Sequence, residues 1–532
     1  MPTINIEGGG SLTCRSGCIL LDALLSGNAF SESPCGGRGL CGKCRVTILS
    51  GELSEVTPDE LRLLDKEEIK QGVRLSCMTK VLGDCSIRLS KKESGHRILT
   101  GGLLPEFDRD PLKGFGIAAD IGTTTIALSL IDLESGKELF SASDINPQKI
   151  YGQDVLTRIS YEMEHGAKAV ADLQSAVINC MNLLISRLCN KAGISPEQLL
   201  RISVAANCCM THMLLGINAE ALGRSPYQPV FTEAKTISAA ALGLKAGKDT
   251  LLYCLPQISA YLGGDITAGA SACRLFEETR TVLFIDIGTN GEILLTHGGR
   301  ILGCSCAAGP ALEGMNISCG MRAAEGAVED VLIDRAVTLN TIGDAPPSGL
   351  CGSGILASVR ELIKGGYIKK TGAFLSCELQ PEPKLLIPDG PRRKAVLCGT
   401  PEISVTQEDI RQVQLAKGAI LSGFTVLLRE AGISMEELDL IIVAGQFGSH
   451  LPVSSLTGIG LLPECLSDRI LYAGNTSKTG AVMALLSEKE RRKMEHLAKQ
   501  IDHIDLVTTK GYEQIFAQCM AFPIKAKENK HE

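Results

Sequence analysis

The sequence predicts a multidomain chain of α/β and α+β class, with a small β-rich module followed by two similar α/β halves. Three observations predict it. A glycine-rich loop near the N-terminus carries Cys35, Cys41 and Cys44, and Cys77 follows after a longer interval. A strand–Asp–Gly–Thr–strand pattern occurs twice, as Gly116-Ile-Ala-Ala-Asp120-Ile-Gly122-Thr123-Thr124-Thr125-Ile126 and as Val282-Leu-Phe-Ile-Asp286-Ile-Gly288-Thr289-Asn290-Gly291-Glu292, its aspartates 166 residues apart. A third apolar strand, Leu440-Ile-Ile-Val-Ala444, runs into the turn Gly445-Gln446-Phe447-Gly448.

Length and composition set the outer limits. The 532 residues are enough for more than two domains, and 44% hydrophobic content is ample for a large core. Net charge is −7, with no basic run of the kind that marks nucleic-acid binding. No apolar run approaches the ~18 residues of a membrane span. The opening MPTINIEGGGSL lacks the pattern of a signal peptide. The 21 cysteines are odd in number and scattered, which is not a disulfide framework. A reducing cytoplasm is expected, with neither nucleic acid nor membrane as partner. Cys208-Cys209 and Cys304-x-Cys306 read as buried free thiols.

The cysteine spacing C-x5-C-x2-C…C is close to the plant-type run that holds a [2Fe–2S] cluster. Gly36, Gly37, Gly39 and Gly42 let the loop fold tightly and aim N–H groups at sulfur. A four-cysteine zinc site is the competing reading, although zinc ribbons usually carry two C-x-x-C pairs and only one is present. Around the loop, Thr3–Ile6, Arg45–Leu49 and Cys85–Leu89 read as strands and Ser16–Ser26 as a short helix. Residues 1–90 form this module, and the polar, Gly- and Pro-bearing residues 91–113 read as a linker.

The repeated motif divides the remainder into halves at 114–280 and 281–490, with 491–532 as a C-terminal extension. Glycine lets the backbone approach phosphate closely, and the turn amides and threonine hydroxyls are donors for phosphate oxygens. Asp120 and Asp286 can hold Mg²⁺ through water or orient an attacking water. The glycine turn at 445–448 can lie against adenine and ribose. The candidate nucleotide residues are therefore Gly122, Thr123, Thr124, Thr125, Gly288, Thr289, Asn290, Gly291, Gly445, Gln446, Phe447 and Gly448, with Asp120 and Asp286 catalytic. Helices are expected at Ala167–Asn190, from the capping box at Thr406–Asp409 to about Glu430, and at Ala481–Lys499. A further helix at Ser353–Lys364 follows the turn Gly349–Gly354. That turn reads equally as a phosphate-facing helix start or as a plain packing turn.

The order of elements around the cysteine loop resembles the β-grasp fold of plant-type and adrenodoxin-like ferredoxins. The three later motifs together resemble the phosphate-1, phosphate-2 and adenosine motifs of the actin-like ATPase superfamily. That resemblance implies two ribonuclease-H-like halves closing over Mg-ATP. The whole chain resembles the reductive activators of corrinoid proteins. Supporting stretches are Asn146-Pro-Gln-Lys-Ile-Tyr-Gly152-Gln-Asp154-Val, Ala206-Asn207-Cys-Cys-Met210-Thr-His212, Ala308-Gly-Pro-Ala-Leu-Glu313-Gly, Gly320-Met-Arg322-Ala-Ala-Glu-Gly-Ala327, Val413-Gln-Leu-Ala-Lys417-Gly-Ala and Gly474-Asn475-Thr-Ser-Lys-Thr-Gly480-Ala. Ala206 and Gln446 depart from the pattern.

The resemblance implies an activity and its accessories. Cys35, Cys41, Cys44 and Cys77 would hold the cluster, ATP and Mg²⁺ would occupy the cleft, and a corrinoid protein would be the electron acceptor. A low-potential ferredoxin or flavodoxin would be the donor, with a homodimer as one form of assembly. Returning Co(II) to Co(I) is a one-electron reduction at very low potential, which ATP would drive. The alternatives are a phosphotransferase with a redox-sensing cluster, and an ATP-driven electron donor to another low-potential metalloprotein.

Overall fold

The computed structural model describes residues 1–7, 10–26, 44–64, 66–89, 104–445 and 451–523. Cys35, Cys41, Gln446, Phe447 and Gly448 lie outside the described residues. The chain forms two compact units, one of Met1–Ser94, Ile145–Cys180 and His212–Pro226, the other of Gly95–Asp144, Met181–Thr211 and Tyr227–Glu532.

The N-terminal part of the first unit is a five-stranded sheet. Its order is Ser11–Thr13, Thr3–Ile6, Val81–Leu89, Arg45–Leu53, Val73–Leu75. Thr3–Ile6 runs parallel to Val81–Leu89, and the remaining pairings are antiparallel. The helix Leu20–Ser26 covers one face, where Leu20 and Leu24 pack with Ile4, Val46, Val81 and Ile87. Ser16–Ile19, expected to be helical, instead leads in through backbone bonds to the sheet, such as Gly17 N–H to the Val81 carbonyl. Arg45–Leu53 runs four residues past its expected end. Its extension bends at Gly51, where a Cβ would lie 2.3 Å from the Asp84 carbonyl oxygen.

The helical part of this unit shows what the stretch from Asn146 to Asp154 does. Asn146, Gln148 and Arg158 are completely buried. The Asn146 carboxamide oxygen accepts the Gln148 N–H at 3.0 Å, and Gln148 Nε2 donates to the Leu173 carbonyl at 3.0 Å. Arg158, on the helix Val155–His165, donates to Gln148 Oε1 at 3.0 Å and to the Gly152 carbonyl at 2.9 Å. Buried polar groups need such partners, so the motif encodes a fixed turn. The adjoining helix Ala167–Ala192 buries Ala169, Leu173, Val177, Met181, Leu184 and Leu188, a stripe at helical spacing. By length and composition it is apolar enough to cross a membrane, which the broken apolar run did not suggest. Half of its apolar window is buried within the protein, as in a core helix.

The second unit holds two six-stranded sheets with one plan. In the first, Phe115–Ile121 pairs antiparallel with Thr125–Asp132 and parallel with Leu199–Ala206, which pairs parallel with Leu251–Cys254. In the second, Val282–Ile287 pairs antiparallel with Gly291–His297 and parallel with Leu440–Ala444, which pairs parallel with Ile470–Gly474. In each sheet the motif strand therefore sits at the centre. The strands are buried on both faces, as their unbroken apolar runs require.

Each sheet is followed by a helix, Gly264–Ala272 after the first and Thr476–Leu486 after the second. These two helices cross so closely that a Cβ on Gly480 would lie 2.4 Å from Ala268 Cα. The single amphipathic helix expected over 481–499 is therefore two. Thr476–Leu486 is buried along its whole length, and Glu488–Gln500, capped by Ser487, is the amphipathic one. The apolar run belongs to one helix and the charged run to the next.

The described residues toward each end of this unit are tied down. Asp110, inside the expected linker, pairs with Arg201 at 3.1 Å and accepts the Glu488 N–H at 3.2 Å. Residues 501–503 add an edge strand beside Arg300–Cys306. The helix Tyr512–Cys519 lies on the long helix Gln407–Ala431, which starts at the expected Thr406–Asp409 capping box. There the Val413–Ala419 stretch finds its role. Lys417, 1% exposed, donates to the carbonyls of Cys519 at 2.6 Å and Ala521 at 2.7 Å, and Gln414 donates to that of Met520 at 3.1 Å. Lys417→Ala takes the donor from two half-buried carbonyls, at up to about 1–3 kcal/mol each. We expect a net loss of about 2 kcal/mol after the relief of a buried ammonium, measurable as a lowered denaturant midpoint in circular dichroism.

Candidate functional site

The first candidate site is the cysteine cluster. Cys44 opens the strand Arg45–Leu53, and Cys77 stands just beyond Val73–Leu75. The antiparallel register sets Arg45 opposite Leu75, and the Ser76 N–H donates to the Cys44 carbonyl at 2.9 Å. The two sulfurs are thereby brought to 3.2 Å. The hydrogen bond with Cys77 outweighs burial and lowers the Cys44 thiol to about 6. A readily formed thiolate suits a soft iron centre, so the two described members of the ligand set fit an iron–sulfur cluster.

Sequence reasoning missed what fixes this corner. Glu60, fully buried, takes Arg74 Nε and Nη2 at 2.9 Å each, the Leu75 N–H at 3.0 Å and the Thr57 N–H at 3.0 Å. Arg74 also donates to the carbonyls of Ser54 and Glu55. Burial alone would raise the Glu60 carboxyl, but these donors hold it below its ordinary value. Removing one partner of such a buried pair typically costs about 3–5 kcal/mol. Glu60→Ala is expected to lower the melting temperature of the N-terminal module, read through its visible absorbance, while leaving the rest of the chain folded.

The second candidate site is built from the repeated motif. Asp120 and Asp286 stand at the ends of equivalent strands, flanked in register by Ala205 and Ala444. The Gly-Thr turns close on themselves, with the Gly122 N–H donating to the Thr125 carbonyl at 2.9 Å and the Gly288 N–H to that of Asn290 at 3.0 Å. The two turns meet where Thr124 Oγ1 and Thr289 Oγ1 lie 3.2 Å apart. Thr123 accepts Asn207 Nδ2 at 3.0 Å, which gives the Ala206–His212 stretch its role at the site. His212 itself is buried in the core. Gly445, at φ +97°, comes so close to Asp286 that a Cβ would lie 2.7 Å from the carboxylate. A Cβ on Gly291 would press on Cys306 and Ile420. Gly352 and Gly354 are likewise pressed on the carbonyls of Leu312 and Val328.

Several further residues converge here. Asn475 Nδ2 and Ser477 Oγ each donate to Asp120 at 2.8 Å, one to each carboxylate oxygen. This accounts for the Gly474–Ala481 stretch. Asp265 enters from the start of the helix Gly264–Ala272, whose first N–H is held by Gln257 Oε1 at 2.9 Å. Glu292 lies opposite Asp286 in register, and Glu313 accepts the Thr289 hydroxyl at 2.7 Å. Asp265 was legible only as the end of a Gly-Gly-Asp, and Glu292 only as the end of the second motif.

Charge dominates this site. Burial and the charge of Asp120 raise Asp265 to about 7. Burial, with the charges of Asp265 and Asp120, raises Asp286 to about 8. Burial, with the charges of Asp265 and Asp286, pushes Glu292 far above its ordinary value. Burial raises Asp120 against the opposing bonds of Asn475 and Ser477. A hard divalent cation would relieve this repulsion, and oxygen donors suit Mg²⁺. Among the described residues no three His, Cys, Asp or Glu side chains converge on one point as direct ligands. The aspartates therefore fit an ion reached partly through water.

The pH dependence follows in sign. Carboxyls raised in the folded state bind protons that the unfolded chain, with values near 4, has released. Their stabilisation is complete below about pH 4 and is lost as pH rises through 7 and 8, the values of Asp265 and Asp286. Without nucleotide or divalent ion, the melting temperature should fall between pH 6 and pH 9. Asp286→Asn should flatten that slope in a calorimetric series.

Comparison with known proteins accords with both sites. Residues 4–82 match the 2Fe-2S iron–sulfur cluster binding domain, residues 115–278 the RACo middle region and residues 280–531 the C-terminal domain of RACo, the ASKHA domain. The corrinoid activation enzyme RamQ of Eubacterium limosum is 32% identical over 441 residues, covering 81% of this chain and 73% of that protein. The [Co(II) methylated amine-specific corrinoid protein] reductase of Methanosarcina barkeri is 26% identical over 76% of each chain. A solved structure, the reductive activator for corrinoid, iron-sulfur protein, superposes with a TM-score of 0.70 at 27% identity, covering 98% of this chain and 99% of its own. With a cysteine corner fit for an iron–sulfur cluster and twin acidic turns on one chain, this protein belongs to the family of reductive activators of corrinoid proteins.

Proposed function

We infer that this chain is an ATP-dependent reductive activase, which returns the cobalt of a corrinoid protein from Co(II) to Co(I) by one-electron transfer. The observation that carries the reading is the joining of a ferredoxin-type thiol corner and a duplicated phosphate-turn site, in a chain akin to a corrinoid activation enzyme over most of its length. When bound, the cluster supplies one electron at about −400 mV and ATP supplies the free energy for the uphill remainder. Each ~59 mV uphill costs about 1.4 kcal/mol.

The chain's residues divide the work. Cys35, Cys41, Cys44 and Cys77 would hold the cluster, with Cys44 and Cys77 already adjacent. Glu60 and Arg74 keep that corner rigid. Asp120, oriented by Asn475 and Ser477, and Asp286 would hold Mg²⁺ largely through water. Asp265, at about 7, is suited to take a proton from an attacking water near neutral pH. Amides of the 122–125 and 288–290 turns would cradle phosphate, and Gly445 would open the approach to adenine. The donor to this protein would be a low-potential ferredoxin or flavodoxin.

Anaerobic absorbance of a Co(II) corrinoid protein with this protein, a low-potential reductant and Mg-ATP tests the reading. The Co(I) band should appear only with ATP, and Cys77→Ser and Asp286→Ala should each abolish it. A Cys77→Ser protein of undiminished activity would sink the electron path. Asp286→Ala with full ATP-dependent activation would sink the nucleotide site.

A further inference from the structure

A threonine hydroxyl has one proton, and at Thr289 that proton is committed. Thr289 Oγ1 donates to Glu313 Oε1 at 2.7 Å. The 3.2 Å contact between Thr289 Oγ1 and Thr124 Oγ1 must then run the other way, with Thr124 donating and Thr289 accepting. So Thr289 turns lone-pair density, not a proton, toward the meeting point of the two turns. A hydroxyl whose proton is held by a carboxylate is a ligand for a hard cation.

Glu313 supplies the second observation. It is 3% exposed, and its other oxygen, Oε2, is buried without a hydrogen-bond partner. A buried carboxylate oxygen left bare is costly. It sits on the same carboxyl group that grips Thr289. Glu313 lies on the short turn Pro310–Glu313 within the Ala308–Gly314 stretch, whose role the nucleotide motifs alone do not explain. Burial raises the Glu313 carboxyl to about 7, against the Thr289 bond and the positive charge of Arg322, which favour its ionised form.

We propose that Glu313 and Thr289 form a divalent-cation subsite, in which Glu313 Oε2 and the Thr289 hydroxyl oxygen face the ion. It rests on the nucleotide reading of the twin turns and deepens it. Asp120 and Asp286 set the charge of the site, while Glu313 and Thr289 place the ion at the junction of the two turns. Thr124, whose proton points at Thr289 before the ion arrives, is freed to donate elsewhere once the ion takes that lone pair.

The test uses the full-length, cluster-loaded protein and Mn²⁺ alone as probe, with free Mn²⁺ followed by electron paramagnetic resonance. ADP binding is measured separately by equilibrium dialysis. Glu313→Gln and Thr289→Ala should each weaken Mn²⁺ binding about tenfold or more. Thr289→Ser, which keeps the hydroxyl, should restore near-native affinity. An unchanged circular dichroism spectrum and visible absorbance show that the variants are folded. If both variants bind Mn²⁺ like the native protein while Asp286→Asn does not, the subsite is overturned and the nucleotide reading stands. If Thr289→Ser binds as poorly as Thr289→Ala, the hydroxyl is not the ligand and the proposal fails. Loss of ADP binding by the native protein would instead count against the underlying nucleotide reading.

Discussion

Like charge gathered at the strand ends is the constraint on which the nucleotide half of this protein depends. Asp120, Asp265, Asp286 and Glu292 act on one another, and burial penalises them all. Such a cluster stays folded only because two large sheets and a tightly crossed helix pair hold it there. Gly480 against Ala268 lets those helices meet at backbone distance. The stability of the scaffold thus sustains a group of buried carboxyls that repel one another when ionised.

The cysteine corner follows a different logic. Its charges are satisfied before any cofactor binds, because Glu60 and Arg74 neutralise one another and fill their remaining bonds with backbone groups. A rigid electron-transfer site changes its geometry little on oxidation or reduction, and over-determined surroundings serve that need. One end of the chain is therefore built for constancy and the other for response.

Much of this was legible in the sequence. The two Asp-Gly-Thr motifs fell at equivalent strand ends because unbroken apolar runs can only be buried central strands. The capping box at Thr406 marked its helix start, because the reciprocal side-chain bonds are local. What failed to show were features made by distant residues. The break at Ser487 was hidden because an apolar helix abutting a charged one imitates a single amphipathic helix. Glu60 and Arg74 carry no spacing signature, since they meet through the register of a sheet. The bond from the Thr289 hydroxyl to Glu313 spans 24 residues and so left no local spacing signal.

The duplicated halves differ at the point where the difference counts. At the start of the helix after the first sheet stands a carboxylate, Asp265. At the start of the corresponding helix after the second sheet stand two neutral donors, Asn475 and Ser477. Each helix begins near the aspartates, so the exchange decides which of them is already satisfied. Asp120 has a donor on each oxygen. Asp286 meets burial and the charges of Asp265 and Asp120, and among the described residues no hydrogen bond offsets them. A cation entering the site therefore gains most at Asp286, whereas Asp120 is held in place whether or not the ion is present. The first half's motif thus ends in a carboxylate already held by two donors, and the second half's in one that burial and neighbouring charge oppose.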